Sequence, residues 1–243
     1  MYQFNLPFAV VLISFTAPLK AASILAPKQD VMTSGFFTMG DFVRGYPGDT
    51  RPTFRVSNDG AFGVTGAETI YLSFDSADIS TFSSQVTSAF LTITSKSGGF
   101  NADAGAENPF LVSAHGVNAD PITSITDNTN TSGTVDWLTF YTDSILASYP
   151  VSSTSIDSFG AVTFDVTPLV NDWISGANSE FTIALTGKND PSGSDFLHGF
   201  ENNSETPGSS FLTITTIPEP SSIVLSTIAI ALGLGVRRRN PSN

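Results

Sequence analysis

The chain has 243 residues, enough for one sizeable domain with a real core or for two small ones. It contains no cysteine, which excludes a disulfide framework, cysteine-ligated zinc, iron–sulfur clusters and thiol catalysis. Its net charge of −12 repels nucleic acid and anionic lipid, while cations, neutral glycans and basic partners are tolerated; with only two histidines, His115 and His198, one chain offers no multi-histidine metal site.

The first 23 residues read MYQFNLPFAVVLISFTAPLKAAS. Leu6 to Phe15 is a short apolar region, interrupted by Pro7 and too short to span a bilayer. Ala21-Ala22-Ser23 then offers small residues suited to cleavage. The pattern predicts a signal peptide over residues 1–23, although no Lys or Arg precedes the apolar region; a buried N-terminal strand is the alternative. Between Ile24 and Thr216 the imbalance deepens, with six basic and 21 acidic residues, a net charge of −15.

From about residue 29 onward, Ser, Thr, Gly, Asn and Asp are dense, and short runs of β-type residues recur between turn signals. In order they are PTFRVS (52–57), ETIYLSFD (68–75), VTSAFLTITS (86–95), PFLVSAHGV (109–117), AVTFDV (161–166), EFTIALTG (180–187), DFLHGFE (195–201) and SSFLTITT (209–216). The run at 86–95 alternates, with Ala89, Leu91 and Ile93 on one face and Ser88, Phe90, Thr92 and Thr94 on the other. Eight such runs predict an all-β fold, a β-sandwich or jelly roll, over residues 24–216.

One segment, VTFDVTPLVNDWISGAN at 162–178, breaks the pattern. A strand to Val166 is followed by Thr167 as an expected N-cap, by Pro168 in the first turn, and by Leu169, Val170, Trp173 and Ile174 on one face. Gly176 stands where a helix stops in the left-handed conformation. This predicts a short capped helix that pins Trp173 into the core. A weaker helical signal lies at 143–148, before Pro150.

The succession DVTPLVNDWISG, NSEFTIALTG, an acidic FEN segment and a final SSFLTIT strand resembles the DNRLRE domain family, best over residues 162–215. ETIYLSFD with SAFLTITS resembles that family's first strand pair. The resemblance implies a jelly-roll module of the carbohydrate-binding type. Here His198 and Phe200, rather than an arginine, precede Glu201, so no binding residue is carried over from the family.

The chain closes with IPEPSSIVLSTIAIALGLGVRRRNPSN. Ile223 to Val236 is 14 residues, short of the roughly 20 that a spanning helix needs. Pro218-Glu219-Pro220, the apolar run and Arg237, Arg238 and Arg239 follow one another at the C-terminus, a layout that resembles the PEP-CTERM sorting signal. The resemblance implies an apolar sorting helix over 217–243, transient membrane association through it, and an exosortase-type membrane protease as partner. It also implies a mature protein released or held at the cell surface beside exopolysaccharide. A permanent weak anchor is the alternative.

No nucleophile elbow, zinc-protease motif, phosphate loop or dinucleotide glycine pattern occurs, and no carboxylate pair is nominated beyond Glu201 and Glu205 near His198. The expected role is therefore non-enzymatic. Oxygen ligands for Ca²⁺ are dense at 127–133 and 188–195, with Asp190 and Asp195 as first candidates, although turn formation accounts for both stretches. Aromatic candidates for a sugar are Trp137 and Tyr141. Arg44, Arg51 and Arg55 cluster in an acidic chain; they could meet an acidic sugar or a second protomer, or form internal salt bridges. The expected function is binding of extracellular polysaccharide by an exported surface or matrix protein. Self-association without a sugar is the runner-up, and polysaccharide degradation comes third.

Overall fold

The alternation at 86–95 is the organising feature of the folded chain. In the strand Ser88–Lys96 (β6), Ala89, Leu91 and Ile93 are buried, while Phe90 faces outward and is 38% exposed. Strands with the same two-residue period pair with it on either side, and their inward residues extend the buried face. The structure is a computed structural model that describes residues 21–34, 42–45, 53–57, 68–82, 86–98, 105–107, 109–118, 145, 151–187 and 197–216. A compact unit spans Ala22–Thr216.

The remaining strands are Ala21–Leu25 (β1), Gln29–Ser34 (β2), Phe42–Arg44 (β3), Thr53–Ser57 (β4), Glu68–Ser73 (β5) and Phe110–Gly116 (β7). After them come Ser152–Ile156 (β8), Gly160–Asp165 (β9), Thr182–Gly187 (β10), Leu197–Glu201 (β11) and Ser210–Thr216 (β12). They form two six-stranded sheets. Sheet A runs β1-β12-β6-β11-β4, with β9 also paired to β6; sheet B runs β3-β2-β5-β10-β7-β8. The pairs with a described register are antiparallel. One hydrophobic core holds inward residues of both sheets, among them Met32, Leu72, Val112 and Leu185 from sheet B and Phe54, Leu91, Phe164 and Leu212 from sheet A. The fold is thus an all-β sandwich. All eight predicted runs are strands; β1, β2, β3 and β8 were not expected. The expected cleavage region at residues 21–23 falls within β1.

Among the described residues, two short helices accompany the sheets. Ser76–Ile79 (α1) is one turn, capped by the Asp75 carboxylate, which accepts from the Ala77 N–H. Thr167–Ser175 (α2) is the predicted helix, but its start differs from the expectation. Thr167 is the first helical residue, and the Asp165 carboxylate accepts from its N–H at 3.0 Å and from its hydroxyl at 2.6 Å. A carboxylate two residues upstream is a stronger acceptor than a hydroxyl, so it takes the capping role. The Thr167 hydroxyl is left to accept from the Ala89 N–H at 2.9 Å, tying the helix to β6. Gly176, at φ 76, ends the helix as expected, because only glycine occupies that region without strain. Leu169, Val170 and Trp173 are buried on the core side.

The sandwich is closed along its sides by polar contacts between the sheets. The Thr154 hydroxyl of β8 donates to the Thr163 carbonyl of β9 at 2.9 Å. The Arg55 guanidinium of β4 is ion-paired with the Glu68 carboxylate of β5, and both side chains are buried. The Glu68 N–H in turn donates to the Ser57 hydroxyl at 2.9 Å.

Candidate functional site

Of the residues selected from sequence, Arg55 is fully placed. It is 7% exposed and bound to Glu68 across the two sheets, which is the internal salt bridge among the three uses considered. Buried in that way, it presents no charge to an external sugar. Arg44 lies on β3, opposite Met32 of β2. Arg51, Trp137, Tyr141, Asp190, Asp195, the segments 1–20 and 217–243, and most of the helix expected at 143–148 lie outside the described residues. Pro218, Glu219, Pro220 and the arginines 237–239 are therefore not placed either.

Glu201 ends β11, and Glu205 lies in the structural turn that follows it. Asn202 Oδ1 accepts from the N–H and hydroxyl of Ser204, at 2.8 and 2.6 Å, and Asn203 Oδ1 accepts from the Gly208 N–H at 2.9 Å. His198 points inward instead, fully buried among the rings of Phe110, Phe159 and Phe200, whose centroids lie 5.4–6.1 Å away. The three groups that sequence proximity suggested as a catalytic set are thus separated, with a core histidine on one side and a turn on the other.

This turn is pinned to sheet B by a buried carboxylate. Asp30 Oδ2 accepts from the Asn203 N–H at 2.7 Å. Burial pushes the Asp30 carboxyl from 3.8 up to about 6, against the opposing effect of backbone hydrogen bonds from Asn203, Asp30 itself and Ser204. A carboxyl with a raised folded-state pKa stabilises the fold fully below its unfolded value, and that contribution is lost as pH rises through about 6. Asp30→Asn keeps an acceptor for Asn203 without the buried charge. In urea titrations it should be more stable than the parent at pH 7.5 by up to about 3 kcal/mol, with the difference closing below about pH 4. A constant difference across that range would contradict this assignment.

The outward faces of the two sheets differ. On sheet B, Val31, Tyr71, Ala184 and His115 lie side by side across β2, β5, β10 and β7. All four are 0–7% exposed, as are Thr33, Thr69 and Thr186, and His115 Nε2 lies 2.9 Å from the Thr186 hydroxyl. That face is closed. On sheet A the outward residues are open. Phe90 lies between Asp165 of β9 and Thr213 of β12, and Thr92 lies between Thr163 and Phe211. Ile24 of β1 is 70% exposed. The result is two phenyl rings set diagonally in a field of threonine hydroxyls, with Asp165 the only charged residue among these. The face was legible in the alternation of the two strands, whereas the aromatic candidates selected from sequence, Trp137 and Tyr141, lie outside the described residues.

A cleft lies at the end of sheet B. Register places Lys28, Phe74 and Phe181 next to one another where β2, β5 and β10 end or begin. The Lys28 N–H donates to the Ser73 carbonyl and the Phe74 N–H to the Phe181 carbonyl, both at 2.8 Å. The cleft there has a volume of about 440 Å³. Its base is aromatic, Phe74 and Phe181, backed by Trp173 at 6.1 and 5.9 Å between centroids; its rim carries Lys28, Ser76 and Glu180.

No family model and no curated protein matches the chain. Among the described residues, no group of three or more His, Asp or Glu side chains is placed to hold a metal ion, and no helix is long and apolar enough to cross a membrane.

Proposed function

We propose that this is an exported, exosortase-sorted protein of the cell surface or extracellular matrix, whose DNRLRE-like jelly-roll domain binds polysaccharide without catalysis. The observation that carries the binding reading is the open face of sheet A. A pyranose ring presents C–H groups on its faces and hydroxyls at its rim. Phe90 and Phe211 offer apolar surfaces for the former, and Thr92, Thr163 and Thr213 offer donors and acceptors for the latter.

Size separates this reading from self-association. Four strands about 4.8 Å apart and about 20 Å long give a face of about 300–400 Å². A stable protein–protein interface needs about 800 Å² from each partner. Two copies would also bring like net charges of −12 together. A glycan chain laid across the strands needs neither the larger area nor a charged partner. The sorting reading rests on the Pro-Glu-Pro, apolar and triple-arginine layout of the tail, and an intact-mass measurement on protein from its native host tests it.

For the binding reading, affinity electrophoresis of the full chain through gels containing the host's matrix polysaccharide should show retardation. The double replacement Phe90→Ala and Phe211→Ala should reduce it about five- to thirtyfold in apparent affinity, since two stacking contacts of about 0.5–1 kcal/mol each are removed. Unchanged retardation of the folded double variant would overturn the assignment of this face.

A further inference from the structure

We infer that the cleft at the end of sheet B recognises a sugar bearing a protonated amine, so that the polysaccharide bound is an amino-sugar polymer. The inference rests on the binding reading above and names its ligand class from a different part of the molecule.

The argument starts from the charges in the cleft. Of the two charged residues that line it, Lys28 already has the Asp75 carboxylate at 3.7 Å. Glu180 has no ion-pair partner among the described residues. Its backbone is held on both sides, with its N–H donated to Asn178 Oδ1 at 2.7 Å and its carbonyl accepting from the Thr182 N–H at 2.8 Å. The carboxylate is therefore carried on a fixed backbone at the cleft rim, and the cleft with its Lys28–Asp75 pair has one uncompensated negative charge.

Beside that charge lie the rings of Phe74 and Phe181. A carboxylate next to an aromatic surface suits a cationic group on a ring with apolar faces, because the ammonium meets the carboxylate while the ring lies over the phenyls. A uronate would meet repulsion from Glu180. A neutral sugar would gain the stacking but not the charge. The whole molecule acts in the same direction, since a net charge of −12 draws a polycation toward the surface and slows the approach of a polyanion.

The test compares oligomers of glucosamine with their N-acetylated counterparts, titrated calorimetrically into the full chain at low salt and at a pH where the amine is protonated. The amine form should bind about fivefold more tightly, the upper range for a partly exposed ion pair. The preference should shrink in Glu180→Gln to the part that the net charge alone supplies, and that remainder should vanish in molar salt. Phe181→Ala should weaken both forms together. Equal affinity of the two forms for the parent, or a preference undiminished in Glu180→Gln, overturns the inference. If polymer retardation and its dependence on Phe90 and Phe211 persist in that case, the polysaccharide reading stands and only the ligand class is wrong. If no saccharide binds at all, both fall.

Discussion

Replacing Arg55 with methionine is expected to destabilise the domain by about 3–5 kcal/mol, the cost of removing the guanidinium that is ion-paired with a buried carboxylate. Arg55 and Glu68 are 7% and 2% exposed, and they join β4 of sheet A to β5 of sheet B. With the guanidinium gone, Glu68 must either stay charged in a low-dielectric setting or take up a proton. Both routes are costly at neutral pH. The double replacement Arg55→Met and Glu68→Met should recover most of the loss, because an apolar pair of similar volume needs no desolvation. Urea unfolding monitored by tryptophan fluorescence separates the two cases. A single-variant cost below about 1 kcal/mol would mean that water screens the pair, as at an exposed site.

Truncating Trp173 to alanine should cost a comparable amount, about 3–5 kcal/mol, through lost burial and the cavity left behind. The indole is 3% exposed and packs against Phe74 and Phe181. Its N–H finds no acceptor among the described residues. Trp173→Phe therefore removes a buried donor along with part of the ring, and its cost should stay below about 1.5 kcal/mol. Because the same indole backs the aromatic base of the cleft, Trp173→Ala should also weaken saccharide binding there in whatever fraction remains folded. A full loss of stability in Trp173→Phe would show that the N–H has a partner after all.

These two residues also show what a one-dimensional reading could reach. Trp173 was legible, since strand, proline, apolar face and terminal glycine fall at helical spacing and all of that information is local. Its cap was not, because the Thr167 hydroxyl is drawn to the Ala89 N–H of β6 and the Thr167 N–H to the Asp165 carboxylate, and the first of these depends on where β6 lies. The strands β6 and β12 announce themselves by alternation. Strand β8, SSTSI, does not; it is a strand because β7 and β9 lie beside it, with a Ser113–Ser153 hydroxyl contact on one side and the Thr154–Thr163 bond on the other. Strand β2 was hidden by Asp30, a charged residue at a position that faces inward and draws its hydrogen bond from a turn 173 residues away.

The arginines illustrate a different limit. Their clustering in sequence suggested a shared surface, yet Arg55 is taken by Glu68, a partner 13 residues on that only the packing of the two sheets brings close. The cleft is composed the same way. Lys28, Phe74 and Phe181 become neighbours because three strand ends share a register, and nothing near any one of them in the chain signals the others. By contrast, the outward placement of Phe90 followed directly from the two-residue period.

The most direct test of the account is covalent footprinting of the full chain with and without the matrix polysaccharide proposed as its ligand. The account predicts that labelling of Phe90 and Phe211 falls when the polymer binds, while Tyr71, on the closed face of sheet B, is unreactive in both states. Binding that leaves Phe90 and Phe211 as reactive as in the free protein would contradict it.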